Sequence, residues 1–132
     1  MIYLDTNIFI YASIDESEIG KKCSEIISLH LNEKKDVATS CLTWDEVVYG
    51  IRKKVGKEMS IIQGKNLIEM QNLLWLDTNN LIISKAQELM EAYNLKPRDA
   101  IHAATAIING IKEIISDDSD FDKVKELKRI KI

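Results

Sequence analysis

Short apolar runs and helical stripes alternate along this chain from end to end. Residues 1–4, Met-Ile-Tyr-Leu, form an apolar run stopped by Asp5, the pattern of a buried parallel strand whose carboxyl end opens to solvent. Ile19, Cys23, Ile26, Ile27 and His30 then recur at helical spacing and predict an amphipathic helix over 17–32. Residues 36–40 read as a second strand. Thr43-Trp-Asp-Glu46 has the form of a capping box, and Trp44, Val47, Val48, Ile51 and Val55 continue the helical period. A helix is therefore expected from near Thr43, with Glu46 off its apolar stripe. The segment 58–73 has helical spacing but is apolar on more than one side, through Met59, Ile62, Leu67, Met70 and Leu73, which suggests contact with the core and with a partner chain.

The alternation continues to the end. Leu74–Asp77 reads as a third strand and 79–93 as a helix with Ile82, Ala86, Leu89, Met90 and Tyr93 on one face. Pro97 suits the first turn of the next helix, which carries Asp99 in that turn and is apolar almost all round except for an edge of Asp99, His102 and Asn109. Ile114-Ile115 gives a fourth strand, Val124 and Leu127 a short helix, and 129–132 a last strand. Strands alternating with helices imply an α/β architecture, a mainly parallel sheet covered on both faces and joined by right-handed crossovers. Ligands in such sheets bind beyond the carboxyl ends of the strands, which is where Asp5 and Asp118 fall.

A length of 132 residues with 45% apolar content allows one domain spanning 1–132. One Pro and five scattered Gly leave no sign of a linker. The start, MIYLDTNIFIYA, has no basic leader and is interrupted by a carboxylate, so it resembles neither a signal peptide nor a membrane span, and a cytoplasmic location is expected. Cys23 and Cys41 lack metal-ligand spacing and read as buried free thiols. Eighteen Lys and Arg against 21 Asp and Glu, a formal charge of -3, exclude nucleic-acid binding by a bulk positive field. They do not exclude a nuclease, whose centre concentrates negative charge that bound cations then reverse.

Four acids stand where a strand ends or a helix begins: Asp5, Glu46, Asp99 and Asp118. Each alone can be a helix cap, and the run 117–122, with four acids, can be a solvated loop. Together they suit one site, because converging carboxylates repel unless a cation neutralises them. Mg²⁺ or Mn²⁺, hard ions that take oxygen ligands and turn water into a nucleophile, match that donor set. His102, three residues after Asp99, is placed to shuttle a proton or orient the carboxylate, although a packed or hydrogen-bonded structural histidine is the simpler reading. His30 reads as structural. Nothing forms a local Ser-His-Asp or Cys-His arrangement or a Gly-rich phosphate loop. Arg52, Lys53, Lys54 and Lys57 are the densest basic patch, either a solvated helix end or a rim that guides a nucleic-acid strand.

Leu4-Asp-Thr-Asn7 after the first strand, Glu46 opening a helix, Arg98-Asp-Ala-Ile-His-Ala-Ala-Thr-Ala106 and Ser116-Asp-Asp-Ser-Asp-Phe121 resemble the PIN-domain family over essentially the whole chain. In size the chain looks most like the VapC-type ribonuclease toxins of prokaryotic toxin–antitoxin pairs. The resemblance implies a five-stranded parallel sheet of order 3-2-1-4-5, Mg²⁺- or Mn²⁺-dependent RNA cleavage, a homodimer and inhibition by a small antitoxin. It carries the metal-binding acids over to Asp5, Glu46, Asp99 and Asp118, with Asn7 and Ser116 as polar support. The family's Thr-x-Asp is Ser116-Asp-Asp118 here, and Asp117, Asp118 and Asp120 compete for the fourth position. Asp118 has the matching spacing, and Asp120 is the second choice as an outer ligand. Rival readings are a PIN-domain ribonuclease of RNA processing or quality control, a non-catalytic binding module, and a phosphatase with Asp5 as nucleophile. Asn7, standing where that last class needs a second Asp, argues against it.

Overall fold

In a computed structural model of the protein, which describes residues 1–33 and 36–132, five strands form one parallel sheet. They are β1 (Ile2–Leu4), β2 (Val37–Ser40), β3 (Leu73–Leu76), β4 (Glu113–Ile115) and β5 (Lys128–Ile130), in the order β3-β2-β1-β4-β5. Tyr3 lies opposite Ala38 on one side and Ile114 on the other. Six helices flank them: α1 (Thr6–Ile14), α2 (Glu18–Asn32), α3 (Cys41–Val55), α4 (Lys57–Ile68), α5 (Asn80–Tyr93) and α6 (Pro97–Ile108). A 3₁₀ turn, Ser119–Lys123, precedes β5.

The sheet separates two cores, because successive side chains on a strand point to opposite faces. Tyr3 and Ile114 join Ala38, Leu76, Ile82, Leu89, Phe121 and the small α6 residues Ala100, Ala103 and Ala104. Leu4 and Ile115 join Ile8, Phe9, Cys23, Ile27, Val47 and Ile51 of α1, α2 and α3 on the other face. Three alanines in α6 let that helix lie close to the strands. Gly56, at φ 101, reverses the chain between α3 and α4 in a conformation that L side chains rarely adopt. At Gly64 a Cβ would come within 2.9 Å of Val48, so the α3–α4 contact depends on that residue having none.

The strands and four of the helices lie within a few residues of their expected positions, and one further helix is present. Residues 6–14, to which the periodicity assigns no element, form α1, with Asp5 as its cap. Their sequence, TNIFIYASI, is apolar on most sides, so no stripe marks it as helical. The helix expected from Thr43 begins at Cys41 and is capped by Ser40, whose hydroxyl accepts from Leu42 N–H. Thr43 is instead buried against Thr39, their hydroxyls 2.7 Å apart, and Glu46 closes no capping box. The segment 58–73 divides: α4 stops at Ile68 and Leu73 already belongs to β3. Cys23 is buried as expected, whereas Cys41 is exposed at the start of α3. The short helix near Val124 is the 3₁₀ turn just before it, and the last strand ends at Ile130.

Candidate metal centre

The topological switch lies between β1 and β4, where the chain's crossovers change direction and the loops after two adjacent strands part. Asp5 follows β1. It is only 5% exposed; its Oδ1 accepts from Thr6 N–H at 2.8 Å and its Oδ2 from Ser116 Oγ at 2.7 Å. Ser116 follows β4 and is itself fully buried. Its hydroxyl also accepts Asp118 N–H at 2.9 Å, while Asp118 Oδ1 accepts Asp120 N–H at 2.8 Å. One serine thus ties the first acid to the last acidic loop.

Asp99, in the first turn of α6, faces that loop. Carboxylate oxygens of Asp99, Asp118 and Asp120 lie within 4.8 Å of one another, in the only such group among the described residues. Burial, then the charges of Asp118 and Asp5, push the Asp99 carboxyl up to about 6. Burial also raises Asp5, against the lowering pull of His102 and the Ser116 hydroxyl. Three half-buried, mutually repelling oxygen donors are a set that suits a hard divalent cation, so the residues present fit Mg²⁺ or Mn²⁺. A cleft of about 600 Å³ in front of them is lined by Glu46, Lys96, Pro97, Arg98, Asp99 and Asp118.

The four acids of the 117–122 run have different partners. Asp117 accepts from the Tyr11 hydroxyl at 3.3 Å, and Asp122 takes both arms of the Arg129 guanidinium at 2.9 Å each. Asp120 pairs with Lys123 at 3.1 Å while keeping its place beside Asp99 and Asp118. Of the three acids that compete by sequence, Asp118 and Asp120 are the two whose oxygens lie beside Asp99.

Glu46 stands apart from that trio. Its Oε1 is hydrogen-bonded to His102 Nε2 and accepts from Thr6 Oγ1 at 3.1 Å. His102 is 1% exposed, its Nδ1 lies 2.6 Å from the Tyr3 hydroxyl, and its Nε2 is 4.0 Å from Asp5. Burial opposes charge on both partners, yet the bond between them holds Glu46 below its ordinary value and His102 above its own. His102 is therefore a buried, hydrogen-bonded histidine turned towards Glu46, 56 positions away, and not a hydrogen-bond partner of Asp99. Asn7 sits half-buried in the first turn of α1. Tyr3, Thr6 and Arg129 carry no local signal in the sequence, because only distant contacts mark them. Arg52, Lys53 and Lys54 lie in the last turn of α3, and the cations that border the acidic cleft are Lys96 and Arg98.

Fold and site together define an α/β protein of sheet order 3-2-1-4-5 with an acid-lined cleft at its switch point. The chain belongs to the PIN domain family, whose model matches residues 2–127. It is 36% identical over 81 residues to Ribonuclease VapC6 of Methanocaldococcus jannaschii, a match covering 61% of this chain and 47% of that protein. This chain thus matches about half the length of that relative. Among solved structures it is similar in fold to VapBC2 from Rickettsia felis bound to a promoter DNA fragment, with TM-score 0.77, 22% identity and coverage of 99% and 98% of the two chains. It is equally similar to Mycobacterium tuberculosis VapC20, described as a Sarcin-Ricin loop cleaving toxin, with TM-score 0.78, 14% identity and 95% of each chain covered.

Proposed function

We propose that this protein is a metal-dependent endoribonuclease that hydrolyses RNA by water attack on the phosphodiester, and that it is the toxin of a VapBC-type pair. The observation that carries this reading is the meeting of Asp99, Asp118 and Asp120 oxygens within 4.8 Å at the switch point, with Asp5 buried behind them. Asp99 and Asp118 would hold Mg²⁺ or Mn²⁺, with Asp5, Asp120 and Glu46 completing the site. Such an ion, when bound, neutralises phosphate charge and lowers the pKa of water.

The chain's own residues do the rest. Ser116 fixes the Asp5 carboxylate, and His102 and Thr6 fix Glu46 at the cleft wall. Lys96 and Arg98 supply cations at the cleft mouth, where an RNA backbone would be positioned without sequence readout. Arg52, Lys53 and Lys54 extend positive charge along α3 for a longer strand. Trp44, Tyr49, Ile61, Ile62 and Ile68 are exposed on α3 and α4, and an apolar surface of that kind supports a protein partner, an antitoxin or a second copy of the chain. Among the described residues no helix is long and apolar enough to cross a membrane. An intracellular site of action is part of the proposal.

The test is cleavage of defined RNAs in Mg²⁺, Mn²⁺ and chelator, with analysis of product ends. Products carrying 5′-phosphate and 3′-hydroxyl ends, lost in chelator and in Asp5→Asn, are expected. Products with 2′,3′-cyclic phosphate, or equal cleavage without metal, overturn the reading.

A further inference from the structure

Arg129 lies on an edge strand, yet its side chain is only 6% exposed. Its Nε and Nη2 donate to the two oxygens of Asp122 at 2.9 Å each, and its Nη1 donates to the Ser116 carbonyl at 3.1 Å. One planar group therefore joins the first residue of the acidic loop to the last acid of its 3₁₀ turn. Between those two anchors stand Asp118 and Asp120. Ser116 N–H bonds the Ile130 carbonyl at 3.2 Å, so the loop's start is tied to β5 by its backbone as well.

We propose that Arg129 is a positioning residue of this site: by clamping Ser116 to Asp122 it sets the loop shape that places Asp118 and Asp120 beside Asp99. The proposal rests on the metal-site reading above for its consequence, though not for its geometry. With its guanidinium engaged by Asp122 and the Ser116 carbonyl, Arg129 acts on the site through the loop. It also withdraws Asp122 from competition for a cation, because both oxygens of that carboxylate are already engaged. A planar fork is required, since an ammonium group cannot serve two coplanar carboxylate oxygens and a carbonyl in this arrangement.

The test compares Arg129→Gln and Arg129→Lys with the wild type and with Lys128→Gln, which removes an exposed β5 charge outside the clamp. Two quantities are measured: affinity for Mn²⁺ alone, from the electron paramagnetic resonance of the free ion, and amide exchange at Asp118 and Asp120. Arg129→Gln is expected to weaken Mn²⁺ binding by about 10–100-fold, the range for groups that orient metal ligands. Both loop amides should exchange at least about tenfold faster, as loss of a charge-assisted hydrogen bond implies, while Ala103 in α6 is unchanged. Arg129→Lys should fall between, and Lys128→Gln should match the wild type. Loop exchange unchanged in both Arg129 variants overturns the proposal whatever the metal result, and so does faster exchange with undiminished affinity for a bound ion. Should Arg129→Gln fail to fold, Arg129→Lys decides by the same two readings. If the wild type takes up no Mn²⁺, the metal reading falls and the exchange rates alone decide the clamp.

Discussion

Ser116 donates its hydroxyl to Asp5 at 2.7 Å across 111 positions of sequence, joining the loops that follow β1 and β4 at the point where the sheet changes direction. Both residues are buried, and the same hydroxyl accepts the backbone N–H of Asp118. One small side chain thus sets the relative positions of the first and last acids.

Ser116→Ala removes both of those bonds and leaves a buried carboxylate oxygen unpaired, at an expected cost of about 1–3 kcal/mol. The hydroxyl favours the ionised form of Asp5, so the loss is largest where Asp5 is charged and shrinks as falling pH protonates it. Urea unfolding at pH 8 and pH 4 checks the sign; a larger loss at pH 4 contradicts it.

Asp99→Asn should separate function from stability. The fold disfavours the Asp99 charge, through burial and the neighbouring Asp118 and Asp5, so at pH 8 in chelator the neutral amide should raise the melting temperature. RNA cleavage in Mn²⁺ should fall by more than about 100-fold, since even groups that only orient metal ligands commonly contribute up to that factor. A variant that is less stable in chelator and still active refutes both halves.

Metal affinity should follow the Asp99 carboxyl. With its value near 6 in the metal-free protein, the group must give up a proton to ligate at lower pH. Mn²⁺ affinity is expected to rise about tenfold per pH unit up to pH 6 and to flatten above it. Titration calorimetry from pH 5 to 8 measures this; a profile without a bend near 6 is inconsistent with the site.

Tyr3→Phe leaves His102 Nδ1 without its partner in the core, which should cost about 1–3 kcal/mol. Tyr93→Phe, which loses only an exposed bond to Glu126, should stay within about 0.5 kcal/mol. Thermal unfolding of the pair distinguishes the two environments, and equal effects would show that the buried bond contributes nothing special.

The architecture was readable because its signals are local. Apolar runs of three or four residues between amphipathic stripes mark the strands, and Pro97 and the small residues after it mark α6. The order 3-2-1-4-5 came from resemblance, and the registers of Tyr3 with Ala38 and Ile114 bear it out. What failed was also local. TNIFIYASI has no polar face because α1 packs against both α2 and α3, and Ser40 competed unseen with Thr43 for the cap.

The sequence by itself determined which residue types stand at the strand ends: Asp5, Ser116 and the acids after it. Only the tertiary structure decided how those acids are shared out, because each assignment depends on a partner far along the chain. Asp117 turns to Tyr11 and Glu46 to His102, while Asp122 turns to Arg129, brought back alongside it by β5. Asp118 and Asp120 are left beside Asp99. Spacing encodes periodicity along one element, whereas the crossing of elements fixes which hydrogen-bond donors reach a given carboxylate, and those contacts decide its role.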